Sequence, residues 1–246
     1  MPFLAPAPLA RSRIVAPSET ESSAVPFFGR SLSEYVQFFA LDLPSLRGRD
    51  VLDVASGPSS FTAEACARRI NAVAVDPLYG CKPEALATHV QLDYAAAFAP
   101  MRAPPQRLKS FPSLEAAELD RRTAAQRFLA DYEAHFIHNR YVGASLPRLP
   151  FFDGTFDLVL CAHLLFTSAK HLDFDWHLAA CRELVRVAAD EVRIYPVRGA
   201  DGKPSPGLSR LRRELKESGV ACEVRPVDYE LPADATSMLV LRKAAS

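Results

Sequence analysis

Two short segments of the 246-residue sequence carry residue types that could bind a nucleotide-like ligand. The first, VLDVASGPSSF at residues 51–61, places Asp53 in a short apolar run and Gly57 in the turn that follows. The second, AVAVDP at residues 72–77, reaches Asp76 at the end of another apolar run. Glycine lets the backbone approach a ligand, a helix start offers free N–H groups, and a carboxylate accepts ribose hydroxyls. These segments therefore predict a nucleotide-binding strand–turn–helix–strand unit.

The spacing of small residues in the first turn separates two kinds of cofactor. A turn that binds a pyrophosphate carries the pattern GxGxxG. Here Ser59 and Thr62 stand at the second and third glycine positions of that pattern. An NAD-dependent oxidoreductase is therefore the weaker interpretation.

Strand and helix patterns alternate around these segments. Apolar runs predict seven strands, at residues 51–55, 72–75, 141–142, 156–161, 192–197, 222–227 and 238–241. Helical periodicity predicts one helix opened by the capping box of Ser31 and Glu34, and others at residues 61–70, 114–138, 174–187 and 208–218. The last two strands have no helix between them and are expected to pair antiparallel. The pattern predicts an α/β fold, with a doubly wound, Rossmann-like sheet of seven mostly parallel strands and a terminal antiparallel hairpin.

The chain is predicted to be one domain with a tail and an insertion. Residues 1–28 are expected to be a mobile tail, because the first 26 are rich in Pro, Ala and Ser and lack the apolar core of a secretory signal. Residues 29–246 form the predicted domain. Residues 78–139 are longer than a plain crossover needs, so they predict a helical insertion between the second and third strands. Such an insertion caps the carboxyl ends of the strands, where open α/β sheets bind ligands.

Composition excludes several classes of protein. The chain has 29 Lys and Arg residues and 29 Asp and Glu residues, so it lacks the excess of basic residues that is typical of nucleic-acid-binding proteins. The five cysteines are odd in number and form no CxxC pair, which favours neither a disulfide framework nor a zinc site. A reducing, cytoplasmic location is the expectation. No apolar run approaches the ~18 residues of a membrane span, so no membrane partner is predicted.

Three motifs occur in the order found in one enzyme family. They are the first turn, then SLPRLPFFDGTFDLVLCAHLLF at residues 145–166, then MLVLRK at residues 238–243. The chain resembles the class I S-adenosylmethionine-dependent methyltransferases over roughly residues 30–243, apart from the insertion. The resemblance implies S-adenosylmethionine as the cofactor.

The resemblance also implies which residues contact that cofactor. Asp53 and Gly57, with Ala55 and Ser56 of the same turn, would line its methionine end. Asp76 and Pro77 would hold the ribose, and Ser145 and Leu146 would border the adenine. The chain departs from the family at three of its positions: alanine and serine replace glycines at 55 and 59, and serine stands at 145 where an acidic residue is common.

Histidines are the candidates for proton transfer. His163 follows the fourth predicted strand, where a neutral imidazole could take a proton from a hydroxyl or amine nucleophile. His135 and His138 could share a helix face, but no further ligands accompany them, so no metal site is predicted. Together with Tyr79 and His163 they could instead face a substrate cavity.

The insertion favours methyl transfer to a small molecule, since a capped cavity excludes water from the sulfonium. An RNA or protein methyltransferase is the alternative, for which residues 208–216 offer the one basic patch. CAHL follows FDLV in place of the Asn/Asp-Pro-Pro-aromatic motif, which argues against a base amino group as acceptor. A non-catalytic, nucleotide-binding Rossmann-like protein is the other alternative. The oligomeric state stays open.

Overall fold

The computed structural model describes residues 27–101, 110–167, 172–199, 203, 205, 207–229 and 235–244. The predicted tail therefore lies outside the described residues, apart from its last two. The strands are β1 (Asp50–Val54), β2 (Asn71–Asp76), β3 (Tyr141–Gly143), β4 (Phe156–Ala162), β5 (Ala188–Tyr195), β6 (Val220–Pro226) and β7 (Ser237–Lys243). The helices are α1 (Leu32–Phe38), α2 (Phe61–Ala67), α3 (Pro83–Met101), α4 (Leu114–His135), α5 (Phe174–Val187) and α6 (Leu208–Glu217), with a 3₁₀ turn at Pro44–Leu46.

The seven strands form one sheet in the order β3-β2-β1-β4-β5-β7-β6. Strand β7 runs antiparallel to both of its neighbours, and all other pairs are parallel. The predicted fold class is confirmed, including the terminal hairpin. In the centre, Asp53 of β1 lies opposite Ala74 of β2 and Leu160 of β4. The carboxyl ends of these three strands therefore meet at one edge of the sheet.

Apolar layers cover both faces of the sheet, which explains why the strands read as continuous apolar runs. Leu52 of β1 packs in the cluster that includes residues of α5 and α6. Its neighbour Val51 points to the opposite face and packs in the cluster that includes residues of α1 and α2. Alternate residues of one buried strand thus belong to two cores.

The stretch between β2 and β3 contains two helices that pack on each other. Helix α4 was predicted, although it ends at His135 rather than at residue 138. Helix α3 was not predicted, because over residues 83–94, where burial is described, its buried residues form only a narrow stripe of Leu86, Val90 and Tyr94. The Tyr132 hydroxyl of α4 accepts a hydrogen bond from the Gly80 amide at 2.9 Å, which fastens the helix to the turn after β2.

No helix of the described ranges is both long and apolar enough to cross a bilayer.

Candidate active site

Asp53 lies near the carboxyl end of β1 and is completely buried. Its carboxylate accepts hydrogen bonds from the Tyr35 hydroxyl at 2.9 Å and from the Ser56 hydroxyl at 2.6 Å. Burial raises the pKa of Asp53 to about 7, and the charge of Asp76 adds to that rise, while the two hydroxyl donors oppose it. This carboxyl group therefore titrates near neutrality.

Asp76 ends β2 and joins two loops. One carboxylate oxygen accepts from the Gly57 amide at 3.1 Å, and the other accepts from the Leu78 amide at 3.0 Å. Burial raises the pKa of Asp76 to about 6, although both backbone donors lower it. The side chain thus fixes the turn after β1 against the turn after β2. Pro77, the next residue, is exposed.

At two positions the turn after β1 has residues other than the glycines that the resemblance implies, and the structure shows what each does. Ala55 has a φ of +56°, the left-handed region that glycine adopts without strain. Ser59 is buried, and its hydroxyl donates to the Arg30 carbonyl at 3.0 Å and accepts from the Phe61 amide at 3.1 Å. Serine at this position therefore fastens the segment before α1 to the start of α2.

That segment and one tyrosine cover the turn. A Cβ on Gly29 would lie 2.1 Å from the Pro58 carbonyl oxygen, so only glycine allows this approach. The Tyr79 hydroxyl donates to the Gly57 carbonyl at 2.5 Å. Two cavities elsewhere, one of about 190 Å³ beside His177 and one of about 530 Å³ beside Lys216 on α6, include none of the predicted site residues.

Ser145 and Leu146 lie just after β3. Gly143 of that strand is opposite Asp76, so the segment that follows lies beside the predicted ribose site. The Ser145 side chain is exposed, while Leu146 is buried in the core cluster on the α5 side. The structure therefore places both residues at the same edge of the sheet as Asp53.

His163 directly follows β4 and has a φ of +52°. Its amide donates to the Tyr195 carbonyl at 2.7 Å, and its ring packs edge-on against the rings of Phe38 and Tyr195. The Nε2 atom is buried and has no hydrogen-bond partner among the described residues. Burial lowers the pKa of His163 well below its usual value, and the charges of Arg30 and Arg121 lower it further. The imidazole is therefore neutral at physiological pH.

A buried ion cluster lies close to this edge, and the sequence did not reveal it. The Glu34 carboxylate accepts from the Arg121 guanidinium at 2.9 Å, from the Tyr229 hydroxyl, and from the Ser31 amide at 3.1 Å. Glu34 and Arg121 are both almost entirely buried. Burial alone would raise the pKa of Glu34, but the charges of Arg121 and Arg30 hold that pKa below its usual value.

The remaining candidates lie at the outer end of α4 or in the core beside it. The rings of His135 and His138 are 6.1 Å apart, His138 is exposed, and His135 lies 3.6 Å from a carboxylate oxygen of Asp131. Tyr79 packs in the aromatic cluster with Phe128 of α4. Within the described ranges, no three His, Cys, Asp or Glu side chains are grouped as metal ligands would be.

No protein-family model matches the chain. An uncharacterized protein of Methanocaldococcus jannaschii is 28% identical over 218 residues, which cover 87% of this chain and 95% of that protein. Magnesium protoporphyrin IX methyltransferase from Synechocystis, crystallised with bound S-adenosylmethionine, aligns with a TM-score of 0.46 and 13% identity over 82% of this chain and 74% of its own. An S-adenosylmethionine-dependent methyltransferase from Aquifex aeolicus aligns with a TM-score of 0.41 and 16% identity over 85% and 92%.

Likeness at these values leaves the activity open, because one fold supports many chemistries. The fold itself rests on the sheet. Six strands point one way and β7 points the other, with β1 and β4 at the centre. This order and these directions are those of a doubly wound, Rossmann-like sheet with a terminal antiparallel hairpin.

Proposed function

We propose that this protein transfers a methyl group from S-adenosylmethionine to a small-molecule acceptor. One observation carries the proposal: Asp53 and Asp76 are buried near the ends of adjacent parallel strands, and the turn after β1 donates to both, from the Ser56 hydroxyl to Asp53 and from the Gly57 amide to Asp76. Within the described ranges, no Lys, Arg or His pairs with either carboxylate. Buried acids with raised pKa values and no cation of their own are typical of ligand sites.

The donor set suits the proposed cofactor. Each Asp76 oxygen accepts one backbone hydrogen bond, and a carboxylate oxygen has two acceptor positions, so both oxygens can accept a ribose hydroxyl as well. Asp53 and the Ser56–Gly57 turn would lie along the methionine end, and Ser145 and Leu146 along the adenine. When bound, the cofactor supplies an electrophilic methyl group on a sulfonium.

Access to this site requires movement. The Phe27–Arg30 segment and the Tyr79 side chain both lie on the turn that the cofactor would contact. Entry therefore displaces one of them, and its return would exclude water from the reacting atoms.

His163 would face the nucleophile of the acceptor. Its buried Nε2, which has no hydrogen-bond partner in the described part of the chain, can accept a hydrogen bond from a hydroxyl or an amine. Because its pKa is low, the ring would orient the nucleophile and take the proton only as the methyl bond forms. Holding the nucleophile in line supplies the larger part of the acceleration.

Two features favour a small acceptor over RNA or a protein. The turn after β1, beside the two aspartates, is covered by Tyr79 and by the segment before α1 rather than open. The basic patch on α6 lines a separate cavity with Arg212, Arg213 and Lys216. A polymer substrate would need such a patch beside the reacting atoms. The cytoplasmic location stays a prediction.

Calorimetry with S-adenosylhomocysteine tests the cofactor site. The wild type should bind it, and Asp76→Ala should weaken binding by about 1.5–3 kcal/mol, the range for charge-assisted hydrogen bonds. Asp42→Ala, at an exposed aspartate, is the matched control and should bind as the wild type does. Absence of binding by the wild type would refute the proposal, and tight binding of NAD instead would favour an oxidoreductase.

A cofactor-consumption screen across metabolite, RNA and peptide pools tests the acceptor class. Turnover in the metabolite pool is expected, with a lower kcat for His163→Ala. Turnover confined to the RNA or peptide pool would contradict a small-molecule acceptor. Binding without turnover in any pool would instead favour the non-catalytic alternative.

A further inference from the structure

One side of the Arg30 guanidinium, which lies over the Phe28 ring, has no hydrogen-bond partner among the described residues. Its Nη1 donates to the carbonyls of Phe28 and Gly29 at 3.0 and 3.1 Å. Its Nε is buried and has no hydrogen-bond partner among the described residues, and no hydrogen bond of its Nη2 occurs there either. Nε and Nη2 form the side of a guanidinium that grips a carboxylate or phosphate with two parallel hydrogen bonds.

The carboxylate next to Arg30 does not satisfy this side. Glu34 forms an ion pair with Arg30, but its carboxylate oxygen is 3.8 Å from the Arg30 Nε, beyond hydrogen-bond distance. Its two oxygens already accept from Arg121, Tyr229 and the Ser31 amide. Asp120, the other acid of this region, forms no ion pair with Arg30 in the described chain. The Arg30 side chain is only 11% exposed, so water gives little compensation.

Arg30 is also held at the proposed reaction site. Its carbonyl accepts from the Ser60 amide at 3.1 Å and from the Ser59 hydroxyl at 3.0 Å, which fixes it to the turn after β1. Its charge acts on His163, whose pKa it lowers. The backbone of Arg30 therefore lies beside the turn that the cofactor would contact.

We infer that Arg30 binds an anionic group of the methyl acceptor, a carboxylate or a phosphate, so that the acceptor is an organic acid or a phosphate ester. This inference rests on the proposed function. The fork of Nε and Nη2 would hold the anion, and the nucleophile of the same molecule would face His163. Arg30 is then the residue that selects charged acceptors over neutral ones of the same shape.

The test uses the S-adenosylhomocysteine-saturated protein and three probes: inorganic phosphate, benzoate and, as the neutral isostere, benzamide. Melting temperature is followed against probe concentration at constant ionic strength. Phosphate or benzoate should stabilise the wild type, and benzamide should not. A response to phosphate alone identifies a phosphate ester as the acceptor class, and one to benzoate alone identifies a carboxylic acid.

Variants assign that stabilisation to Arg30. Arg30→Gln should weaken the apparent affinity for the anion by about ten- to a hundredfold, as expected for lost charge-assisted hydrogen bonds. Arg30→Lys keeps the charge but cannot form two parallel hydrogen bonds, so its affinity for the anion should lie between those of the wild type and Arg30→Gln. This variant replaces Arg30→Gln in the test if the glutamine variant does not fold. Arg122→Gln is the matched control, because Arg122 is half-exposed on α4 and pairs with Glu118.

Several results would overturn the inference. One is equal melting temperatures of the wild type in all probes, and another is an unchanged anion response in both Arg30 variants. A loss of S-adenosylhomocysteine affinity in Arg30→Gln as large as the loss of anion affinity would assign Arg30 to the carboxylate of the cofactor instead. Repeating the series without S-adenosylhomocysteine separates the two proposals, since the Arg30-dependent response can persist where cofactor binding fails.

Discussion

Two buried groups of carboxylates lie near the same edge of the sheet, and their pKa values are shifted in opposite directions. Burial raises the pKa values of Asp53 and Asp76, to about 7 and about 6, and their hydrogen-bond donors are hydroxyls and backbone amides. Glu34 is equally buried, yet its pKa lies below the usual value, because Arg121 donates to it directly. Desolvation acts on all three, and the presence of a guanidinium decides the outcome.

The difference separates an acid that stabilises the fold from acids that are available to a ligand. Glu34 already has its counter-ion and its hydrogen bonds, so it ties α1 to α4 and to Tyr229. Asp53 and Asp76 have no paired cation among the described residues, so their ionised forms are disfavoured. A ligand with hydroxyl donors and a positive charge would stabilise those ionised forms. The cofactor proposed above has both features.

The largest effect is expected where the ion cluster is broken. Arg121→Met leaves the Glu34 carboxylate buried without its guanidinium, and such changes cost about 3–5 kcal/mol of unfolding free energy. Urea unfolding measures this loss. Adding Glu34→Gln to Arg121→Met should recover much of it, because the uncompensated charge is gone. Arg122→Met, on the exposed side of the same helix, should stay within about 0.5 kcal/mol of the wild type.

The second effect is a pH dependence of cofactor binding between pH 5 and 8. The raised pKa values of Asp53 and Asp76 predict it, whereas the low pKa of Glu34 does not. Hydroxyl donors need ionised acceptors, so affinity for S-adenosylhomocysteine should rise with pH through the pKa of Asp76, about 6, and of Asp53, about 7. Protonation of Asp76 alone at pH 5 predicts a loss of about tenfold relative to pH 8. Calorimetry across this range measures it, and a flat profile would remove the aspartates from the site.

The same shifts predict the opposite slope for the ligand-free protein. Because both folded-state pKa values lie above the ordinary 3.8, the folded state holds these protons longer than the unfolded chain does. Their contribution to stability is therefore largest below about pH 4 and is lost as the pH rises through 6 and 7. Asp53→Asn should flatten that part of the curve of unfolding free energy against pH.

A smaller effect distinguishes the two tyrosines that serve these groups. Tyr35→Phe removes a donor to Asp53, and Tyr229→Phe removes a donor to Glu34, each at about 1 kcal/mol of unfolding free energy. Only Tyr35→Phe should raise the pH at which cofactor affinity falls, since Asp53 loses a bond that favours its ionised form. Equal pH profiles for the two variants would contradict the assignment.

The smallest effect concerns the turn between the aspartates. Ala55→Gly relieves the left-handed strain of roughly 1 kcal/mol but frees the unfolded chain by about 0.4–1 kcal/mol. Unfolding free energy should therefore change by no more than about 0.5 kcal/mol, and cofactor affinity should be unchanged. A loss above 1 kcal/mol would show that alanine makes a contact that glycine cannot replace.

The sequence predicted the aspartate pair but not the ion cluster, and the reason is physical. Asp53 and Asp76 follow apolar runs, and parallel strands bring their carboxyl ends together whatever else the chain does. Glu34 already had a local explanation as part of the capping box, which the structure contains. Its pairing with Arg121 joins distant parts of the chain, and helical periodicity gives no sign of an arginine on a buried face.

The boundaries of helices and strands were likewise predicted where an apolar pattern marks them and missed where none does. Helix α5 was predicted over its full length, since its stripe is regular and Asp173 caps it. Strand β5 begins at Ala188 rather than at residue 192, because its first residues include the exposed Ala189 and Asp190, while Ala188 and Glu191 already pair with β4. A strand held mainly by hydrogen bonds to a neighbour leaves no apolar pattern to read.

The central place of β1 has a kinetic consequence. Asp53 is held in register by Ala74, which follows soon in the chain, and by Leu160, which comes much later. Until β4 has docked, one side of β1 is an open edge and the loop-closure entropy of the long intervening chain has not been overcome. We therefore expect the site to be among the last parts of the protein to form. Destabilising changes in β4 are expected to slow its assembly and prolong the exposure of an aggregation-prone strand, even where the finished site would be intact.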